Sequence, residues 1–276
     1  MPDPHAGEPG AAPGRPPHLR PVTSKYPDSV LPRIRAQVQE TLTCQAETVQ
    51  LALEMHFAQR LGALRGLLAC CLGEGQAALD VGVALDLVHV SLQRLHVRLE
   101  DGTGVPAMMG TGACVLAGDY LTSAAFKVLI RCRDLPVLDR VARTITHTCE
   151  QDNRALESDP RGRSRLRRRA ALDLALAGVA AEAGAILSGH PELARPARRL
   201  GLRLQAVHAL TALVEHSEAA EAEGYRARVR RALGGARRAA GQLEGRLNPA
   251  LGLAGRAGDL VNFVEQALRQ PKPALS

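Results

Sequence analysis

Apolar residues recur every third or fourth position through most of this chain. Val30, Ile34, Val38 and Leu42 stand four apart and mark the stripe of an amphipathic helix. Leu61–Leu72 reads as a further helix, and Ala77–Leu99 as a long apolar one after the turn Gly73-Glu74-Gly75. Gly102, Gly104 and Pro106 break the chain before a helix predicted over Ala113–Cys132. Pro136 falls in the first turn of the next helix, and Asp159-Pro160-Arg161-Gly162 reads as a turn. The helix Leu172–Leu187 stops at Ser188-Gly189-His190-Pro191. Helices over Glu192–Glu215, Glu218–Leu247 (with Gly234-Gly235 as a candidate bend) and about Ala250–Arg269 complete the pattern. No segment shows the alternation of a strand. The expected fold is all-α, a single large helical bundle. Residues 1–27 form a Pro/Gly/Ala-rich tail without periodicity, 28–270 the domain, and 271–276 a second tail.

Composition narrows the core. Of the 276 residues 46% are hydrophobic, but aromatics make up 2% and Trp is absent. The core is therefore built from Leu, Ala and Val, a choice that favours helix over strand. A net charge of +7 raises nucleic-acid binding as a possibility. Its source argues otherwise: the lysines are Lys25, Lys127 and Lys272 alone, the rest is Arg, and no aromatic stacking platform or recognised module accompanies it. No nucleic-acid partner is expected.

The cysteines at 44, 70, 71, 114, 132 and 149 contain no C-x-x-C pair, and several stand in apolar runs as small hydrophobes. They fit a reducing, cytoplasmic setting. The first residues lack the apolar core of a signal peptide. No apolar run is read as approaching the ~20 residues that cross a bilayer, so a soluble protein is expected.

Four stretches carry a resemblance to a known family. Gly112–Phe126, GACVLAGDYLTSAAF, resembles a characteristic helix of the trans-isoprenyl (polyprenyl) diphosphate synthases. Asp86-Leu87-Val88-His89 resembles that family's E-L-I-H, Gly184–Gly189 its G-A-L-L-A-G, and Gly201–Gln205 its G-L-A-F-Q. The resemblance implies the family's all-α bundle from about Ser29 to Arg269, commonly dimeric through the helices flanking its first motif. It also implies two Asp-rich motifs that hold magnesium, a hard cation that takes carboxylate oxygens and stabilises the departing diphosphate.

Those carboxylates are largely missing. Alignment on Asp86 and His89 puts His96, Val97 and Glu100 at the first motif's aspartates. Alignment on Gln205 puts His208, Ala209 and Ala212 at the second's. The Arg-Arg-Gly expected after the first motif is absent from Asp101–Pro106, and the family's Lys-Thr pair falls on Leu172-Asp173. Only Arg65 matches the cationic segment expected over Leu61–Leu68, so Arg65 and Gln205 are the candidate residual diphosphate contacts. No catalytic residue, metal or cofactor is expected, magnesium entering only for a divergent active enzyme.

Two further clusters invite readings. His96, Glu100, His208 and His216 could meet across facing helices as a different metal site, or remain as polar residues lining a collapsed cavity. The run Arg161–Arg169 offers contact to an acidic partner, anionic lipid headgroups or a diphosphate, against the plainer reading of a solvated loop and first helical turn. The resemblance without the motifs implies a non-catalytic subunit that pairs with a competent polyprenyl diphosphate synthase in isoprenoid or quinone side-chain biosynthesis. The pairing surface is expected on Ala77–Leu99 and Ala113–Cys132. A homodimer is the alternative assembly, and peripheral membrane contact is compatible with either. The alternative functions are a divergent prenyltransferase condensing isopentenyl diphosphate with an allylic diphosphate, and an isoprenoid- or lipid-binding protein.

Overall fold

A computed structural model describes residues 26–42, 44–59, 61–73, 75–96, 105–158, 165–247, 253 and 255–269. Every regular element among them is helical. Helices α1 (Leu31–Thr41) and α2 (Glu47–Phe57) lead into α3 (Leu64–Leu72) and α4 (Gln76–His89). The periodic stripe of α1 is buried at all its positions, Val30, Ile34, Val38 and Leu42. Helix α3 starts three residues later than the apolar pattern predicts, and every one of its residues is buried. Tyr26 and Pro27, read from composition as tail, are also buried, and the Tyr26 hydroxyl donates to the carbonyl of Leu67.

The predicted Ala77–Leu99 helix changes character before its end. Its α-helical part stops at His89, and Val90–His96 continues as a π-helix. The short α5 (Val105–Met109) precedes α6 (Thr111–Leu129), which runs on through a 3-10 turn, Ile130–Cys132. Then come α7 (Leu135–Ser158), with Pro136 in its first turn, and α8 (Arg165–Leu187). A 3-10 turn at Pro191–Leu193 opens α9 (Ala194–His216), followed by α10 (Ala219–Glu244) and α11 (Arg256–Arg269). Helix α10 passes through Gly234-Gly235 without a break in the helix.

Helices α3, α4 and α8 form the centre, with α6, α7 and α9 against them and α10 and α11 outside. Small residues set these approaches. A Cβ on Gly184 would lie 2.2 Å from the Ala69 carbonyl oxygen of α3, and one on Gly201 would lie 2.3 Å from that of Ala177 on α8. The glycines of both G-A-I-L-S-G and G-L-R-L-Q therefore let helix backbones meet. Buried Glu182 of α8 ties this layer on both sides, accepting from Arg140 of α7 and, at 2.8 Å, from Arg198 of α9.

Helix α6 packs one face on α4 and the π-helix and leaves the other uncovered. Met108, Val115, Leu116, Phe126, Ile130 and Leu135 are exposed there and at its two ends, Leu116 at 72%. Thr111–Cys132 spans 22 residues and contains an 18-residue window of mean hydropathy 1.5, enough by length and composition to cross a membrane. This corrects the expectation that no run reaches such a length; 44% of that window is nevertheless buried against the bundle.

Candidate functional site

Helix α3 carries one charged residue, Arg65, and α4 carries Asp86 deep in its apolar run. Both are buried, and a charge away from water needs a partner. Arg65 Nε donates to Asp86 Oδ1 at 2.7 Å, and the Gly66 N–H donates to Asp86 Oδ2 at 3.0 Å. Arg65 Nη2 donates to the Gly62 carbonyl at 3.2 Å, while its Nη1 is buried with no hydrogen-bond partner among the described residues. Burial pushes the Asp86 carboxyl up to about 6 against the pull of Arg65 and the Gly66 N–H. At neutral pH it is mainly ionised, and the pair is intact.

Three histidines gather beside this pair. His89, one turn beyond Asp86, places Nδ1 2.8 Å from Oδ1 of Asp173 on α8. The His56 ring of α2 lies 5.1 Å from that of His89 and edge-on to Phe57 at 4.9 Å. Neither His56 nitrogen has a hydrogen-bond partner among the described residues. His208 enters from α9 and feels Asp173, Arg65, Arg94 and Glu215. Burial holds His56 and His89 well below the ordinary imidazole range, reinforced by the Arg65 and Arg94 charges. Burial also lowers His208, to about 4, although Asp173 pulls the other way. All three are neutral at physiological pH.

The expected first-motif position behaves differently. His96 lies seven residues after His89, a spacing that keeps two side chains on one face of an α-helix. Each π turn takes an extra residue, so the phase slips between Val90 and His96. His96 accordingly faces α6, with Nε2 3.4 Å from the Val115 carbonyl oxygen and 3.5 Å from Asp119 Oδ1. Gly118 makes room for it, since a Cβ there would lie 2.2 Å from His96 Nε2. Val97 and Glu100 lie outside the described residues, as do Arg161–Ser164 of the Arg161–Arg169 run.

On α9, Ala209 is half-buried and Ala212 exposed, and neither offers a donor atom beyond its backbone. His96, His208, Ala209 and Ala212 thus bring no carboxylate to the described motif positions. Asp173 is engaged with His89, and no three His, Cys, Asp or Glu side chains among the described residues are grouped to hold a metal. Of the proposed four-residue metal set, His96 turns to α6 and His208 to the interior, while Glu100 and the His216 side chain lie outside what the structure describes. A hard cation such as magnesium does not fit this donor set. Arg65 is spent on Asp86 and Gly62, and Gln205 is buried with Oε1 lacking a hydrogen-bond partner among the described residues.

His56 and Arg94 were not anticipated at the site. His56 follows Val49, Ala52 and Leu53 on the buried face of α2, so a helical wheel of that segment already places it inward. Arg94 stands in a stretch whose π winding has no obvious sequence signal.

The bundle is similar in fold to solved structures of prenyl diphosphate synthases. The chain resembles a decaprenyl diphosphate synthase from Rhodobacter capsulatus at TM-score 0.66 and 13% identity, over 88% of this chain and 96% of that one. A geranyltranstransferase from Thermotoga maritima matches at TM-score 0.61 and 20% identity, over 88% and 97%. A polyprenyl synthase from Caulobacter crescentus, complexed with calcium and isoprenyl diphosphate, matches at 0.61 and 16%, over 88% and 95%. No protein-family model and no curated protein matches the sequence. The chain has the all-α fold of these synthases.

Proposed function

We propose that this chain is a non-catalytic subunit of a heteromeric trans-polyprenyl diphosphate synthase, serving isoprenoid or quinone side-chain biosynthesis. The observation that carries the reading is the replacement chemistry inside a retained fold. His96, His208, Ala209 and Ala212 stand where metal-binding carboxylates are expected, and Arg65 is neutralised by Asp86. Diphosphate departure without a metal forfeits several kcal/mol of charge stabilisation. The divergent-enzyme alternative therefore has the weaker support.

The partner in this proposal is a synthase with intact Asp-rich motifs, seated on the uncovered apolar face of α6. Exposed Leu116, Phe126 and Ile130 make that face costly to leave in water. None of the six cysteines forms a disulfide, and burial pushes Cys70 and Cys71 up to about 12, which suits a reducing cytoplasm.

Co-expression with an intact-motif synthase from the same genome tests this. The expected result is a purified complex whose rate or product length differs from that of the partner alone, with this chain inactive alone. Magnesium-dependent condensation by the isolated chain would establish the divergent-enzyme alternative instead. Absence of both complex and effect would end the subunit reading.

A further inference from the structure

Helices α9 and α10 pack side by side along their lengths, and a long stretch of each carries positive charge alone. Between Ala194 and Val214, and between Gly224 and Leu243, neither helix contains a carboxylate. On α9, Arg195, Arg199 and Arg203 are exposed at i, i+4 and i+8, so they line one face. On α10, exposed Arg231 and Arg238 stand seven apart on the edge adjoining them, with Arg246 beyond the helix end. None of these six makes an ion pair or hydrogen bond to another described side chain. Most other arginines nearby do: Arg198 pairs with Glu182, Arg226 and Arg230 with Glu223, and Arg237 with Glu265, while Arg228 lies over the Tyr225 ring.

Two glycines shape the floor of this patch. A Cβ on Gly235 would lie 3.3 Å from Cδ and Nε of Arg203, so Arg203 crosses α10 where it has no side chain. Arg238 Nη1 lies 3.7 Å from the corresponding position on Gly234. The outcome is a low surface, two helices wide, with unpaired guanidinium groups standing proud of Ala, Gly and Leu.

We infer that the α9–α10 face docks on an anionic phospholipid bilayer through the phosphates of its headgroups. A guanidinium presents paired donors that match phosphate oxygens, and arginine charges facing a negative membrane add to the attraction. A bilayer is favoured over nucleic acid by shape and composition. A broad face meets a plane along both helices, whereas α9 is wedged between α8 and α10 and cannot enter a groove. The two helices carry one aromatic residue, Tyr225, half-buried with Arg228 over its ring, which is too little to stack successive bases. The exposed large apolar residues of the described chain lie elsewhere, so attachment is electrostatic and does not insert. The inference is independent of whether the chain is a synthase subunit.

Vesicle co-sedimentation of the full chain tests it, with phosphatidylcholine alone and with about one-third phosphatidylglycerol. Binding is expected to the anionic vesicles only, and to fall about tenfold or more between roughly 50 and 500 mM salt as exposed charges are screened. The variant R199Q/R203Q/R231Q/R238Q, checked for native helicity and melting temperature, should bind about tenfold more weakly. A control, R226Q/R230Q, should change binding less than about twofold, because those charges are already neutralised by Glu223. Unchanged binding by the quadruple variant would assign the contact to another basic segment and overturn the inference. So would equal binding to neutral vesicles.

Discussion

Removing one partner of the Arg65–Asp86 pair strands the other charge inside the bundle. Arg65→Met or Asp86→Leu alone should cost about 3–5 kcal/mol, whereas the double replacement should recover most of that loss. Urea denaturation of the three variants checks this, and additive costs would show that the pair is not coupled. The neighbouring imidazoles set a pH dependence. His56, His89 and His208 have folded-state values below the ordinary 6.5, so their stabilising contribution is present above that pH. It is lost as pH falls toward about 4, where the unfolded chain has bound protons that the folded chain has not. Asp86, raised to about 6, acts in the opposite sense, but it is one group against three. Stability should fall between pH 6.5 and pH 4, and His208→Gln should flatten the slope by up to about 1.4 kcal/mol per pH unit. Melting curves across that range, wild type against variant, provide the comparison. Arg65 and Asp86 were each visible as a charge in an apolar run; that they meet, 21 residues apart, was not.

Helix α6 shows why one glycine differs from another. A Cβ on Gly112 would meet nothing within 4 Å, whereas one on Gly118 would strike the His96 ring and one on Gly184 the backbone of α3. Gly112→Ala should be neutral to mildly stabilising, because Ala suits helix better. Gly184→Ala should destabilise by about 1–3 kcal/mol, since a backbone oxygen cannot move aside as a side chain can. Thermal melts of both variants separate the two cases, and equal melting temperatures would contradict the close approach of α3 and α8. The helix itself was legible from its apolar repeat. The π winding at Val90–His96 was not, and it alone redirected His96 from the interior to α6. A spacing rule that assumes α geometry fails wherever the winding changes.

Across the whole molecule, the uncovered apolar face of α6 and the unpaired arginines of α9 and α10 lie on different elements and serve different partners in our reading. L116R/F126R should abolish co-purification with a synthase partner while changing stability by no more than about 0.5 kcal/mol, as exposed positions usually do. Size-exclusion chromatography with light scattering reads the first effect and urea denaturation the second; a retained complex would place the contact elsewhere. An all-α bundle could be inferred without coordinates because helical periodicity is local: each apolar stripe needs only its own neighbours in the chain. The lack of carboxylates at His96, His208, Ala209 and Ala212 was legible for the same reason, being residue identities at short, fixed spacings. The neutral histidine cluster, the Arg65–Asp86 pair and the turn of His96 depend on distant segments meeting. Burial, which decides whether an imidazole is charged or an arginine is free, exists only once the helices have packed.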